Sequence, residues 1–445
     1  EDFLSRYNYD ISPFMDSVYS SGYEDYLYDY MKLVSDKVLR FYADFDSCLN
    51  SAGILSRGQC SGAPVDIISA YSLLDIPEGE SMLYEPEFNS IPAAAAALSN
   101  KNIVSAETFT CLYGWPRNYI RQEQTADLKL VADALFANGI NHIVWHGKAH
   151  NHAGQDTTNF YASVHLGDSG NLFKELKEFN SYLETVSHYM KKGSVYTDVA
   201  VYLPLEEAWI KGIMPPEKQF IWAWGYYEMR YIYFPEELKG FHPIWINGSY
   251  LKEGHCADGV LKIGDVSIKH LYIDTKYIDY EVLKQLLSLS DKGLEITIKQ
   301  TLLEPGINKH ADWDALMTRL LNNPGVSSTF SHSNDPLISG NNIPAYRARV
   351  EGEALYVFFA DPRSENIKFP LKYGQSFSTD TLARDLEISY RAYKYNISLS
   401  FEPNQSLLYI FEEGNYKKID IPFCPDMPEQ STEPEDFDAP WLVKK

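Results

Sequence analysis

Three segments in the first third of the chain constrain its fold more than any other feature. Residues 55–80 (LSRGQCSGAPVDIISAYSLLDIPEGE), 103–110 (IVSAETFT) and 140–150 (INHIVWHGKAH) are apolar runs that end abruptly in charged, amide or imidazole side chains. A parallel strand covered on both faces reads as a continuous apolar run, and in a barrel of strands and helices its carboxyl end delivers functional groups. Strands are predicted at about 53–60, 103–109 and 142–146, with a Pro- and Gly-containing turn at 75–80. Residues 91–98 (IPAAAAAL), with Pro92 near the first turn, and 126–138, closed by Gly139, are predicted helices, and a longer helix is predicted over 172–192. This is the order of successive (β/α) units. About three units are legible where a closed barrel needs about eight strands, so the chain is expected to hold the C-terminal part of a TIM-like barrel.

Ahead of the first strand, a helix is predicted over 23–49 from the spacing of Leu27, Met31, Val34, Val38 and Phe41. After residue 193 the pattern changes. Strands predicted at 195–204, 269–273 and 294–299 alternate with helices at 219–238, 279–287 and 312–321, which suggests a flavodoxin-like doubly wound α/β domain. No GxGxxG follows its first strand, so a dinucleotide site is not expected. Residues 343–413 alternate apolar and polar side chains between turns, the pattern of a small antiparallel β-sandwich. The expected division is 1–193 for the partial barrel, 194–335 for the α/β domain, 336–424 for the sandwich and 425–445 as a Pro- and acid-rich linker to a further domain.

Composition narrows the function classes. Of 445 residues, 45% are hydrophobic and 22% charged, enough for several packed cores, and the net charge of −22 with no basic run argues against a phosphate backbone as partner. No stretch approaches the ~20 apolar residues of a membrane span. Five cysteines without CxxC spacing suggest neither a disulfide framework nor a zinc site, and are expected to be buried small side chains.

Glu107 stands inside an apolar strand, where a carboxylate is costly unless it faces a polar cavity; the competing reading is a structural carboxylate paired with Arg or with backbone donors. Glu78 and Glu80 flank Gly79, and either belong to a site or form a solvated acidic turn. Arg57 and Gln59 alternate along one strand and so share a face, with Asp66 close behind; they either donate to sugar hydroxyls or support the site from outside. Trp145 and His146, with His150 and His152 behind them, offer a ring for stacking and imidazoles for hydroxyls, while a metal held by histidines alone is disfavoured. Trp115, in a Gly-Trp-Pro turn, is either a cleft wall or a lid contact. Two carboxylates at the ends of different barrel strands are the equipment of glycoside hydrolysis.

With Arg57-Gly58-Gln59, Gly62-Ala63-Pro64-Val65-Asp66, Asp75 to Glu80, Ser105 to Thr110, Asp127-Leu128-Lys129, Gly139 to His142 and His146 in this order, the chain resembles the α-L-rhamnosidases of glycoside hydrolase family 106. The resemblance implies an exported bacterial enzyme that removes terminal α-L-rhamnose from glycans by inversion, with a calcium ion near the sugar, whose ligands the sequence does not identify. It implies that Glu107 is a catalytic carboxylate, as the general base, and Glu78 an active-site acid that binds sugar, supports the ion or joins the acid/base pair. Arg57, Gln59, Asp66, Trp115 and His146 are then the substrate-binding candidates. The first barrel half and a catalytic acid on it are expected ahead of residue 1, and Ser61 stands where a histidine is expected. Two other readings stay open: a truncated or inactive homologue that binds carbohydrate, and a barrel glycosidase of β-galactosidase type.

Overall fold

The structure, a computed structural model, describes residues 2–61, 64–81, 85–114, 119–147, 164–211, 232–333, 335–365, 367, 370–421 and 423–430. Helix α1 (Asp2–Tyr7) leads to the long α2 (Glu24–Ser51), which has Glu24 and Asp25 in its first turn, where the helix dipole favours acids, and buries Leu27, Tyr28 and Met31. Four strands follow: β1 (Arg57–Gly58), β2 (Ile76–Glu80), β3 (Ser105–Thr108) and β4 (His142–Trp145). They form one parallel sheet in sequential order. Helix α3 (Ile67–Leu73) joins β1 to β2, α4 (Ser90–Leu98) joins β2 to β3, α5 (Thr125–Ala137) joins β3 to β4, and α6 (Leu176–Met190) follows.

Two expectations are corrected here. Residues 75–80, predicted as a turn, supply a central strand, so four strands rather than three are present, and 67–73, for which no helix is predicted, form α3. Pro77 and Gly79 misled because both disfavour strands. Gly79 is required for another reason: a Cβ there would lie 1.9 Å from Asn89 Oδ1. Asn89 Oδ1 accepts from the Glu80 N–H at 3.1 Å, and its Nδ2 donates to the Glu80 carbonyl at 3.0 Å. The alanine-rich α4 lies nearby, its small side chains allowing close approach to the sheet.

After α6, β5 (Ser194–Val195) pairs antiparallel with a strand much later in the chain. The predicted strand over 195–204 is therefore two strands in different sheets. Then come β6 (Val199–Tyr202), α7 (Leu205–Lys211), β7 (Ile244–Ile246) and α8 (Gly248–Glu253). The antiparallel β8 (His255–Ala257), β9 (Val260–Ile263) and β10 (Val266–Ile268), none of them foreseen, precede β11 (His270–Ile273), α9 (Tyr280–Asp291), β12 (Glu295–Ile298), α10 (Trp313–Leu321) and β13 (Val326–Ser327). Strands β13-β12-β11-β6-β7 form a parallel sheet. Reading from the other edge, its order is second, first, third, fourth, fifth, that of a doubly wound sheet. Of the helix predicted at 219–238, most lies outside the described residues, and Glu236–Phe241 is a 3-10 turn.

The last part is antiparallel. Strands β14 (Ile338–Gly340), β15 (Tyr346–Glu351), β16 (Ala354–Phe359), β17 (Leu382–Tyr390), β18 (Tyr393–Phe401), β19 (Leu407–Glu412) and β20 (Asn415–Ile419) make two sheets, β14-β17-β18 and β20-β19-β16-β15-β5. Ile338, Ala348, Val357, Ile388, Ile397 and Phe411 fill the core between them. A second core joins α5 and α6 to Phe358 and Leu408, and a third joins α2, α3 and α4 to the α/β sheet. The four-stranded sheet is thereby covered on its helical side. Its other face carries Glu78, Glu80, Ser105 and Glu107. Among the described residues no helix is long and apolar enough to cross a membrane. Cys60, Cys111 and Cys256 are buried as expected, whereas Cys48 and Cys424 are exposed.

Candidate active site

Register places the candidates. Glu78 lies opposite Ser105 and Glu80 opposite Glu107 across β2 and β3, and Glu107 lies opposite Val144 in β4. Because side chains alternate along a strand, Glu78, Glu80, Ser105 and Glu107 share one face, while Gly79 and Ala106 face the helices.

Glu107 is the centre of a hydrogen-bonded group. Its Oε2 accepts from Gln59 Nε2 at 2.9 Å, and its Oε1 accepts from Thr110 Oγ1 at 2.7 Å and lies 2.9 Å from His146 Nδ1. Thr110 Oγ1 is also 2.9 Å from His146 Nδ1, so hydroxyl, imidazole and carboxylate are mutually in contact. The hydrogen bond from His146 is the strongest influence on Glu107. It outweighs the upward push of burial and, with the hydrogen bonds from Thr110 and Gln59, holds the carboxyl down at about 2. Glu107 is thus ionised at neutral pH, with a third of its side chain still exposed. An ionised, partly exposed and firmly oriented carboxylate can take a proton from water or hold a hydroxyl, and it is a poor proton donor.

The chain turns sharply to build this group. Phe109 and Cys111 both adopt left-handed backbone, with φ of 72° and 49°. Non-glycine residues in that region are costly and gather at functional sites. Here the turn brings the Thr110 hydroxyl back onto Glu107. The Phe109 ring is buried against Trp145 and Phe179, and its N–H donates to Ser81 Oγ at 2.9 Å. Trp145 itself packs on Phe109 and donates from Nε1 to Asn180 Oδ1 at 3.2 Å.

A second group lies beside the first. Glu78 Oε2 is 3.1 Å from Arg57 Nε and accepts from Ser105 Oγ at 2.8 Å. The Arg57 side chain is about half exposed while Glu78 is nearly covered, so the guanidinium reaches outward from a buried anchor. Asp66 stands apart from both groups. Its carboxylate caps α3 by accepting from the Ser69 N–H, accepts from Ser69 Oγ, and receives Asn247 Nδ2 at 2.8 and 2.7 Å on its two oxygens. Burial nevertheless pushes its carboxyl up. Trp115, His150 and His152 lie outside the described residues. Thr110 and Ser105 were not singled out from sequence, although both lie inside the segment that contains Glu107.

Among the described residues no three His, Cys, Asp or Glu side chains stand close enough together to hold a metal ion. The calcium that the resemblance implies is therefore not held by three such side chains among them.

The sequence profile of glycoside hydrolase family 106, described as alpha-L-rhamnosidase, matches residues 1–343. The chain belongs to glycoside hydrolase family 106. Within the matched span lie both groups of the site and the whole doubly wound sheet. This family 106 chain is similar in fold to a solved rhamnosidase from Novosphingobium sp. PP1Y, with a TM-score of 0.70, 14% identity, and coverage of 93% of this chain and 43% of that one. A solved beta-galactosidase from Bacillus circulans sp. alkalophilus gives a TM-score of 0.51 at 10% identity, covering 86% of this chain and 67% of that one. Among curated sequences, a Formosa agariphila protein named "Putative beta-glucuronidase" is 22% identical over 307 residues, 67% of this chain and 24% of that protein. The family 106 chain thus spans less than half of the solved rhamnosidase and about a quarter of the curated relative.

Proposed function

We propose that this family 106 chain contributes the general-base side of an α-L-rhamnosidase site, with Glu107 as the base in an inverting hydrolysis of terminal α-L-rhamnosides. The observation that carries the reading is the state of Glu107: ionised, oriented by Gln59, Thr110 and His146, and open to the polar face of the sheet. In an inverting mechanism the base takes a proton from water as that water attacks the anomeric carbon, while an acid protonates the departing glycosidic oxygen. Glu107 is suited to the first role and unsuited to the second. Gln59 and Thr110 fix its two oxygens, which fixes the direction in which the water must lie.

Arg57 and Glu78 serve the sugar. The guanidinium offers donors to ring hydroxyls, and Glu78, itself held by the Ser105 hydroxyl, keeps it in place. Asp66 supports the site at a distance by capping α3, the helix between β1 and β2. The proton donor to the leaving oxygen then lies outside the described residues.

The test is a substrate panel on the purified protein: aryl α-L-rhamnoside, β-glucuronide and β-galactoside, with the anomer of the first product followed by NMR. Hydrolysis of the rhamnoside with initial release of the opposite anomer supports the reading, and preference for either other glycoside, or retention, overturns it. A parallel arm with a chelator addresses calcium: activity lost and then restored by calcium supports a calcium site.

A further inference from the structure

At the opposite end of the four-stranded sheet, where β3 and β4 begin, lies a cavity of about 380 Å³ with an unusual charge balance. Arg347, Arg349, Lys191 and Lys101 line it, against two carboxylates, Asp265 and Glu351. Glu351 is occupied with Lys192, 3.6 Å away. None of the four lining cations forms an ion pair among the described residues. Arg349 donates to the carbonyls of Lys192 and Gly193 and to Asn102 Oδ1, at 2.6, 2.5 and 3.0 Å, and none of these uses its Nη1. Lys101 donates to the carbonyls of Ser72 and Leu74.

Arg347 is the decisive residue. Its guanidinium packs over the backbone of Gly139, so closely that a Cβ there would lie 3.0 Å from its Cζ. The carbonyl end of α5 just before Gly139 offsets part of its charge, yet among the described residues no carbonyl, hydroxyl or carboxylate accepts a hydrogen bond from it. Burial pushes the Arg347 guanidinium down, and the charge of Arg349 adds to the effect. Lys191, with no partner among the described residues, is also pushed down by burial. A guanidinium enclosed beside a second one, with no anion, is a costly arrangement for a protein to keep. Guanidinium forks match carboxylate, phosphate and sulfate oxygens in pairs.

We infer that this cavity is a binding site for a small oxyanion, gripped by Arg347 and Arg349 with Lys191 at its edge. The bound anion would tie together the starts of β3 and β4, the end of α6 and strand β15, and so brace the sheet from the end opposite Glu107. The shared ligand chemistry is the paired oxygens of a phosphate, a sulfate or a sugar carboxylate.

The experiment is titration calorimetry and thermal unfolding of the purified protein with phosphate, sulfate and glucuronate in separate arms, against chloride at matched ionic strength. At least one arm should bind with about one anion per chain and raise Tm by a few degrees. The arm that responds identifies an inorganic oxyanion or a sugar acid. Arg347→Met should abolish that response while unfolding, without anion, no lower than the wild type, because an uncompensated, half-buried charge is gone. Lys191→Met, at a partly exposed position, should weaken binding at least tenfold and guards against misfolding of the first variant. No binding in any arm, or equal responses in wild type and both variants, overturns the inference.

Discussion

His146 does more to keep Glu107 ionised than any other neighbour, and it does so from a different strand. Their contact is therefore a joint product of the β3–β4 register and the left-handed turn through Phe109 and Cys111. The sign of the pH dependence follows. With its carboxyl held at about 2, Glu107 stays a base until the pH falls through that value, well below the ordinary carboxylate range. Replacing His146 by Ala removes the largest downward influence, so the acid limb of kcat/KM should move to higher pH, which a pH–rate profile reads directly; an unmoved limb would show that another group sets it. Glu107 and Gln59 were legible because a carboxylate and an amide in apolar strands are expensive unless they face something polar. Thr110 and Ser105 were not, since hydroxyls are tolerated almost anywhere in a chain. Asp66 was legible as an important residue, but its side-chain donor Asn247 was not, because that residue lies far away in sequence.

At the scale of elements, the long amphipathic helices and the strands β1, β3 and β4 could be read, although β1 is shorter than the predicted 53–60, while β2 and α3 could not. Strand β2 holds a Pro and a Gly that serve its packing rather than its propensity. Gly79→Ala should accordingly destabilise the protein by ~1–3 kcal/mol through overpacking against Asn89, measured by denaturant unfolding, instead of gaining the small benefit that Gly→Ala gives in an unconstrained strand. The junction between α3 and α8 gives a second expectation. Asn247 both neutralises part of the cost of buried Asp66 and caps α8 by accepting from the Tyr250 N–H. Asn247→Ala should cost about 2–4 kcal/mol at neutral pH, from a buried group left short of donors plus a lost cap. The Asp66 carboxyl is pushed up in the folded state, so its charged form opposes folding as the pH rises above the unfolded-state value. The loss in Asn247→Ala should therefore shrink when the same unfolding is run near pH 4.

For the whole molecule, the α/β sheet is an insertion: β5 leaves α6, pairs with β15, and the doubly wound strands intervene before β14 begins the second sheet of the sandwich. Composition changes along the chain located the regions but could not show this, because β5 is two residues long and its partner lies some 150 positions later. The helix α5 beside the four-stranded sheet is fastened to the C-terminal region through buried polar links that the sequence motif Asp127-Leu128-Lys129 encodes. Asp127 accepts from the N–H groups of Gly374 and Ser376 and from Tyr113, and Lys129 donates to Asp133 Oδ2 at 2.8 Å and to Ser406 Oγ at 3.1 Å. Both members of the Lys129–Asp133 pair are only 1% exposed. Lys129→Met should cost ~3–5 kcal/mol by stranding the Asp133 charge, whereas the double replacement Lys129→Met with Asp133→Leu should recover most of it, a contrast that thermal unfolding can resolve. That motif served recognition of the family, and the structure gives it a structural task remote from Glu107.

The central claim concerns Glu107, and its most direct test is turnover of an aryl α-L-rhamnoside by the purified wild-type protein beside the Glu107→Gln variant, with thermal unfolding of both. Loss of a positioned base predicts a kcat reduced ~10²–10⁴-fold in a variant that still folds. A folded Glu107→Gln protein that turns over the rhamnoside at close to the wild-type rate would contradict the assignment.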